Sequence, residues 1–407
     1  MAILIFEFLL SLFLKYLNYR NIHNKLPDEL SGVYDAEKYA KSQQYLKTNT
    51  QFSLVSGFFS FTLIILMLVF NGFAILNNYV LSLTTSPEFA TLIFFGILFI
   101  ASDILNMPFS IYDTFVIEEK FGFNKTTKKL FISDKLKSHA LTLLIGAPLF
   151  YLIVWIYGKT ETNFWIYTWI VITAFSLFMM LFYSNLIVPL FNKQTKLPDG
   201  ELKTEIENYA EKVNFKLTDI YQIDGSKRSA KANAYFTGLG AKKRIVLYDT
   251  LINQLSTNQI VAVLAHETGH YKKKHTLTGF LTGIFQTGLL LYIFSLVVNN
   301  PLLSNALGVE KANFHIGMLA FGLLYTPVSI ITGLAMNHLS RKNEYQADTF
   351  AAQTYHAEDL IEGLKKLSVS NLSNLTPHWL VVFFNYSHPT LLQRIKNLEK
   401  VTIQDKG

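Results

Sequence analysis

The sequence predicts a mainly α-helical membrane protein, a bundle of seven transmembrane helices with a small α+β segment inserted on one face. Three observations lead there. Half of the 407 residues are hydrophobic and 16% are charged, with a positive mean hydropathy that soluble chains of this length rarely show. The apolar residues gather into runs near the length of about 20 that a helix needs to cross a bilayer. A polar stretch, 193–276, interrupts those runs and mixes helical with strand periodicity.

Taken in order, residues 3–19 are apolar apart from Glu7 and Lys15, and no small-residue cleavage site follows. They read as a retained first span rather than a signal peptide. Residues 21–50 are polar and partly helical. The second span is 52–76, the third 89–107 with Asp103 inside it, the fourth 139–158 and the fifth 164–191. After the polar stretch come a sixth span at 277–298, a seventh at 314–336 and a polar C-terminal segment. The organisation is therefore 1–192 with five spans, 193–276 polar, 277–338 with two spans, and 339–407 polar.

Charge orients these spans. Arg20, Lys25, Lys38, Lys41 and Lys47 follow the first, and Lys120, Lys125, Lys128, Lys129, Lys135 and Lys137 follow the third. After the second, fourth and sixth come no basic residue, Lys159 alone and Lys311 alone. Basic loops stay in the cytoplasm, so the N-terminus is outside and both polar segments are inside. The net charge of +7 is thereby assigned to membrane orientation, and a nucleic-acid partner is not required. With no cysteine in the chain, disulfides, thiolate nucleophiles and cysteine-held metals are excluded.

Within 193–276, Leu202, Ile206, Ala210 and Val213 recur at helical spacing, and 220–223 reads as a strand. Ala234–Thr237 and Arg244–Tyr248 read as a hairpin around 238–243. Its exposed edge could pair with an extended substrate, or the hairpin could simply cover the helix that follows. That helix carries His266-Glu267-Thr268-Gly269-His270, an H-E-x-x-H pattern. Two histidines four residues apart share one helix face and can reach one zinc ion, with Glu267 beside them as a base. Taken alone, the pattern also fits an exposed helical turn. Ser256 and Gln259 form a candidate capping box at its start. Gly269 costs a helix roughly 1 kcal/mol relative to alanine, which implies close approach of another element. Catalytic zinc needs a third protein ligand. Glu344 and Asp348, also four apart, offer one carboxylate for the metal and one to orient a ligand histidine. As a pair by themselves they also suit a solvated helix face.

Several longer motifs add a resemblance. They are Phe115-Val116-Ile117-Glu118-Glu119-Lys120-Phe121-Gly122-Phe123-Asn124, Pro189-Leu190-Phe191-Asn192-Lys193 and Asp224-Gly225-Ser226-Lys227-Arg228-Ser229. Asn233-Ala234-Tyr235-Phe236-Thr237-Gly238, Arg244-Ile245-Val246-Leu247-Tyr248-Asp249-Thr250-Leu251 and Ser387-His388-Pro389 follow, together with the metal segments. In this order, over nearly the whole chain, they resemble the type I CAAX prenyl endopeptidases, integral-membrane zinc proteases. The resemblance implies seven spans around a water-filled chamber, with a small cytoplasmic α+β metallopeptidase domain and one zinc ion per chain. It implies His266, His270 and Glu344 as zinc ligands, Glu267 as general base and acid, and Asp348 as an outer partner. It also implies that Asn233 holds substrate backbone, that His388 helps to stabilise the oxyanion, and that Arg394 holds the arrangement together. On pattern alone, His388 is a lone loop histidine of the kind usually found on surfaces.

The partners expected are the bilayer and a peptide or protein C-terminus, with or without a prenyl group; nothing fixes an oligomeric state. The chain ends Gln404-Asp405-Lys406-Gly407, without a retention signal, which favours a bacterial inner membrane over the endoplasmic reticulum. Two other readings stand beside this one: a membrane quality-control zinc protease without a prenyl requirement, and a seven-span transporter or receptor with an incidental metal site. Asp103 and Glu7 sit at membrane depth, where they either line a cavity or pair within the bundle. The 34 Phe and 21 Tyr suit a lipid-modified substrate and ordinary lipid-facing positions equally.

Overall fold

The computed structural model describes residues 1–22, 30, 32–237 and 244–404. The expected hairpin tip at 238–243, Lys25 of the first basic loop, and Asp405, Lys406 and Gly407 lie outside the described residues.

The chain is mainly helical. Five stretches are long and apolar enough to cross a membrane: Ala2–Arg20, Ala36–Val69, Pro87–Phe121, Lys128–Phe191 and His275–Val297. The pair Phe314–Leu324 and Thr326–Thr354, bent by 55°, makes a sixth if taken as one. Large apolar side chains on these helices face outward, Phe70, Leu144 and Phe285 being 68%, 75% and 69% exposed. An aqueous surface would not tolerate such a belt, whereas hydrocarbon welcomes it.

Helix ends differ from the sequence reading for local reasons. The second span belongs to a helix that starts at Ala36, where the Asp35 side chain accepts from the Lys38 amide. Its first turns are polar and so carry no hydropathy signal. That helix stops at Phe70, because Asn71 is left-handed (φ 53), and Gly72–Leu83 continues in a new direction. The bent pair breaks beside Pro327, which has no amide hydrogen for the ladder. Wide π-helical turns at Asp113–Glu118 and Thr142–Gly146 interrupt two other spans.

The polar stretch folds as a four-stranded sheet ordered β1-β2-β4-β3. β1 is Gln194–Lys196, β2 Asp219–Ile223, β3 Ala234–Thr237 and β4 Arg244–Tyr248. β2 and β4 run parallel, while β3 pairs antiparallel with β4 in the register Ala234 to Leu247. The expected hairpin is thus present, and β3 is an edge strand. β1, with three residues, is too short to show a strand period in the sequence. Ile220, Ile245 and Leu247 pack with Ile206 and Tyr209 of Glu201–Lys212 and with Ile260, Val261 and Leu264 of the motif helix, Thr257–Lys272.

The long sequence motifs form the seam between this unit and the membrane helices. Arg228 grips Asp134 through two hydrogen bonds of 2.8 and 2.9 Å, and Lys231 meets Glu118 at 2.9 Å. Lys125 and Ala230 exchange backbone bonds across the same seam, with Arg228 and Phe123. Asp224 accepts from Asn192 and from the Lys193 amide. Asp103 pairs with Lys135 and His139, and Glu7 accepts from Thr326 at 2.9 Å, so each acid has a partner on another helix.

Candidate metal centre

The motif helix begins with a capping box: the Gln259 amide donates to Ser256 Oγ, and the Ser256 amide to Gln259 Oε1 at 3.1 Å. Its buried face then carries the histidines inward. At Gly269, a Cβ would stand 3.0 Å from Ala347 Cα and 3.1 Å from both the Ala347 oxygen and Phe350 Cβ. Glycine therefore permits near backbone contact with the helix Thr326–Thr354, and that contact delivers Glu344 and Asp348 to the histidines.

His266 Nε2 and His270 Nε2 face each other at 3.2 Å. Glu344 Oε2 lies 3.5 Å from the first and Glu344 Oε1 3.2 Å from the second. One donor atom from each residue falls within 4.8 Å of the others. Two nitrogens bound tetrahedrally to zinc at about 2.0–2.1 Å would stand about 3.3 Å apart, close to the spacing seen. Glu344 Oε2 is buried without a hydrogen-bond partner, with the Arg394 guanidinium Nη1 3.7 Å away, so it keeps a lone pair that a metal could take. The residues present fit a divalent metal.

Asp348 is fully buried, and its Oδ1 lies 2.8 Å from His266 Nδ1. Arg394 closes on it with Nε to Oδ2 at 2.9 Å and Nη2 to Oδ1 at 2.5 Å, a bidentate pair that keeps the carboxylate ionised. An ionised carboxylate only accepts, so His266 Nδ1 carries the hydrogen and Nε2 is free for the metal. Arg394 Nη2, 3.2 Å from the same Nδ1, is a second donor sharing that carboxylate. Burial would lower the Arg394 pKa, but the charges of Asp348 and Glu344 raise it above its usual value. Thr390 and Gln393 bond reciprocally just before it and cap the helix Leu391–Gln404.

His388 stands at the mouth, 64% exposed, with Nε2 3.4 Å from Glu344 Oε1 and Nδ1 2.9 Å from Ser387 Oγ. A cavity of about 520 Å³ opens there, lined by Glu267, His270, Glu344, His388, Tyr235 and Met180. Asn233 is placed differently. It precedes β3, accepts the Tyr248 amide at 3.2 Å through its carbonyl, and lines an adjoining cavity of about 680 Å³. Met180 and Tyr235 border both cavities. The structure thus gathers His266, Glu267, His270, Glu344, Asp348, His388 and Arg394 at one place and leaves Asn233 next door. Tyr235, Met180 and His275 also line this cavity, and the sequence assigns none of them a role. Only Tyr235 carried a signal, as a side chain on the candidate edge strand.

Comparison with known proteins agrees with this geometry. Residues 15–193 match the family described as CAAX prenyl protease N-terminal, five membrane helices, and residues 196–402 match peptidase family M48. The chain is 36% identical to CAAX prenyl protease 1 of Saccharomyces cerevisiae, over 97% of this chain and 94% of that one. It is 33% identical to the CAAX prenyl protease 1 homolog of Homo sapiens, over 92% and 88% of the two chains. The crystal structure of S. mikatae Ste24p superposes with a TM-score of 0.93 at 36% identity, covering 98% of this chain and 97% of that one. The chain belongs to the CAAX prenyl protease 1 family within peptidase family M48, and it is a multi-pass integral-membrane metalloendopeptidase.

Proposed function

We propose that this protein is a zinc endopeptidase that cuts near the C-terminus of CAAX proteins or peptides bearing a prenyl group. The observation that carries the reading is the convergence of His266, His270 and Glu344 within 4.8 Å. They stand on two helices separated in sequence by a membrane-length helix and the first arm of the bent pair, in a chain matched over more than nine-tenths of its length by CAAX prenyl proteases.

His266, His270 and Glu344 hold one zinc ion in this reading. Bound zinc supplies Lewis acidity, polarising a peptide carbonyl and bringing the pKa of a coordinated water to about 7. Glu267, on the cavity wall, takes the proton from the attacking water and later returns it to the leaving amine. His388, beside Glu344 at the mouth, steadies the negative charge that develops on the carbonyl oxygen. Asp348 and Arg394 hold His266. β3 offers its free edge to an extended peptide, and Asn233, just before it, holds that peptide's backbone.

Seven spans support this site in the proposal. The stretch Lys128–Phe191 has 64 residues, about 96 Å as one helix and far longer than a bilayer core of about 30 Å. It reverses at Glu161 (φ 45), where Ala147–Thr160 packs against Phe164–Leu186. Counting it twice and the bent pair once gives seven. The units then remain 1–192, 193–276, 277–338 and 339–407. The basic loops touch the sheet segment through Arg228 with Asp134 and Lys231 with Glu118. That contact supports one shared face for both, and basic residues favour the cytoplasmic one. The bacterial inner membrane read from the sequence gains no support from the relatives above, which are eukaryotic.

The test compares a farnesylated CAAX peptide with its unmodified twin, using purified protein in detergent or vesicles. Cleavage of the farnesylated peptide at higher kcat/KM is expected. Equal cleavage of both would replace this reading with a quality-control protease indifferent to the lipid.

A further inference from the structure

The Asp348–Arg394 pair explains how His266 is held, but nothing so far holds His270. The motif helix ends at Lys272, the chain turns through Lys273 and a left-handed Lys274 (φ 59), and His275 opens the next long helix. This turn folds the buried ring of His275 back onto His270, with the two Nδ1 atoms 3.0 Å apart and the ring planes at 74°. On its other side, His275 Nε2 is 2.8 Å from Gln346 Oε1.

A neutral imidazole has one N–H and one lone pair. The amide oxygen of Gln346 only accepts, so His275 Nε2 carries the hydrogen and its Nδ1 presents a lone pair. His270 Nδ1 must then donate into that lone pair, which leaves His270 Nε2 bare. That nitrogen faces His266 Nε2 and Glu344. The reverse amide orientation would place a hydrogen on the metal-facing nitrogen, so a bound metal selects the orientation described.

We propose that Gln346 and His275 are positioning residues, a neutral relay that fixes the tautomer and ring plane of His270 as Asp348 fixes those of His266. The proposal rests on the metal reading above. It gives the turn 344–348 three tasks: Glu344 as a ligand, and Gln346 and Asp348 as anchors for the two histidines. It also makes the histidines unequal. A carboxylate backs His266 and raises its basicity, whereas a neutral amide, acting through a second imidazole, backs His270.

The experiment uses full-length protein, measuring the zinc dissociation constant by chelator competition and the visible spectrum of the cobalt(II)-loaded form. His275→Leu is expected to weaken zinc about 10- to 100-fold and to alter the cobalt bands. His275→Asn, whose Oδ1 falls near the place of Nδ1 and still accepts from His270, is expected to recover most of the affinity. Gln346→Leu is expected to weaken zinc in the parent protein and to add nothing in the His275→Leu background. Parental affinity and spectrum in His275→Leu would overturn the relay, as would equal weakening in His275→Leu and His275→Asn. Should His275→Leu fail to fold, Gln346→Leu decides: unchanged zinc affinity there overturns the relay. A parent protein that takes up no zinc would instead overturn the metal reading beneath it.

Discussion

Gly269→Ala separates two accounts of why a glycine interrupts the motif helix. Helix propensity alone makes the change stabilising by about 1 kcal/mol. The structure predicts the opposite sign. The new methyl would meet Ala347 Cα at 3.0 Å, the Ala347 oxygen at 3.1 Å and Phe350 Cβ at 3.1 Å, against a comfortable carbon separation of about 3.5–4.0 Å. Two of the three atoms are backbone and cannot rotate aside, so the helices must part by a few tenths of an ångström. Such overpacking costs about 1–3 kcal/mol, and after the propensity gain the variant should lose up to about 2 kcal/mol. The same displacement carries Glu344 away from His266 and His270, so zinc affinity should fall together with stability. Thermal unfolding in detergent and chelator competition on the same preparations read the two effects. A Gly269→Ala protein with a raised Tm and unaltered zinc affinity would refute the close-approach argument.

Two more substitutions examine the site from other sides. Glu267→Gln is expected to keep its zinc and its Tm while kcat falls about 10²- to 10⁴-fold; peptidase turnover near the parental rate would remove Glu267 from the proton-transfer role. Arg394→Leu leaves the buried Asp348 carboxylate without its bidentate partner and is expected to cost about 3–5 kcal/mol with a loss of zinc affinity. A Tm within a degree of the parent would show that His266 alone satisfies Asp348.

Much of the site was legible as spacing. His266 with His270, and Glu344 with Asp348, are each four residues apart, and helical geometry makes such pairs face-sharing whatever the remainder of the chain does. Gly269 was legible as a cost in need of a reason. His388 was not, because a single histidine before a proline has no periodic partner; its closeness to Glu344 follows from how the C-terminal helix docks on Asp348 through Arg394. His275 and Gln346 were equally silent, since their link crosses from one helix start to the middle of another. The π-helical turns and the break at Asn71 left no trace in hydropathy, which reports where apolar residues lie and not how the backbone bends between them.

By itself, then, the order of residues determined a polytopic helical protein with a polar insert of helices and strands and two face-sharing pairs of candidate metal ligands. Those features arise from local repetition, either 3.6 residues per turn or alternation along a strand, and need no knowledge of distant neighbours. Only the tertiary structure decided that the two pairs meet, that the Ala36–Val69 helix starts before the apolar run does, and that Asn233 lines the adjoining cavity. Contact between segments some 75 residues apart depends on how the intervening helices pack and on a glycine thin enough to let two backbones touch.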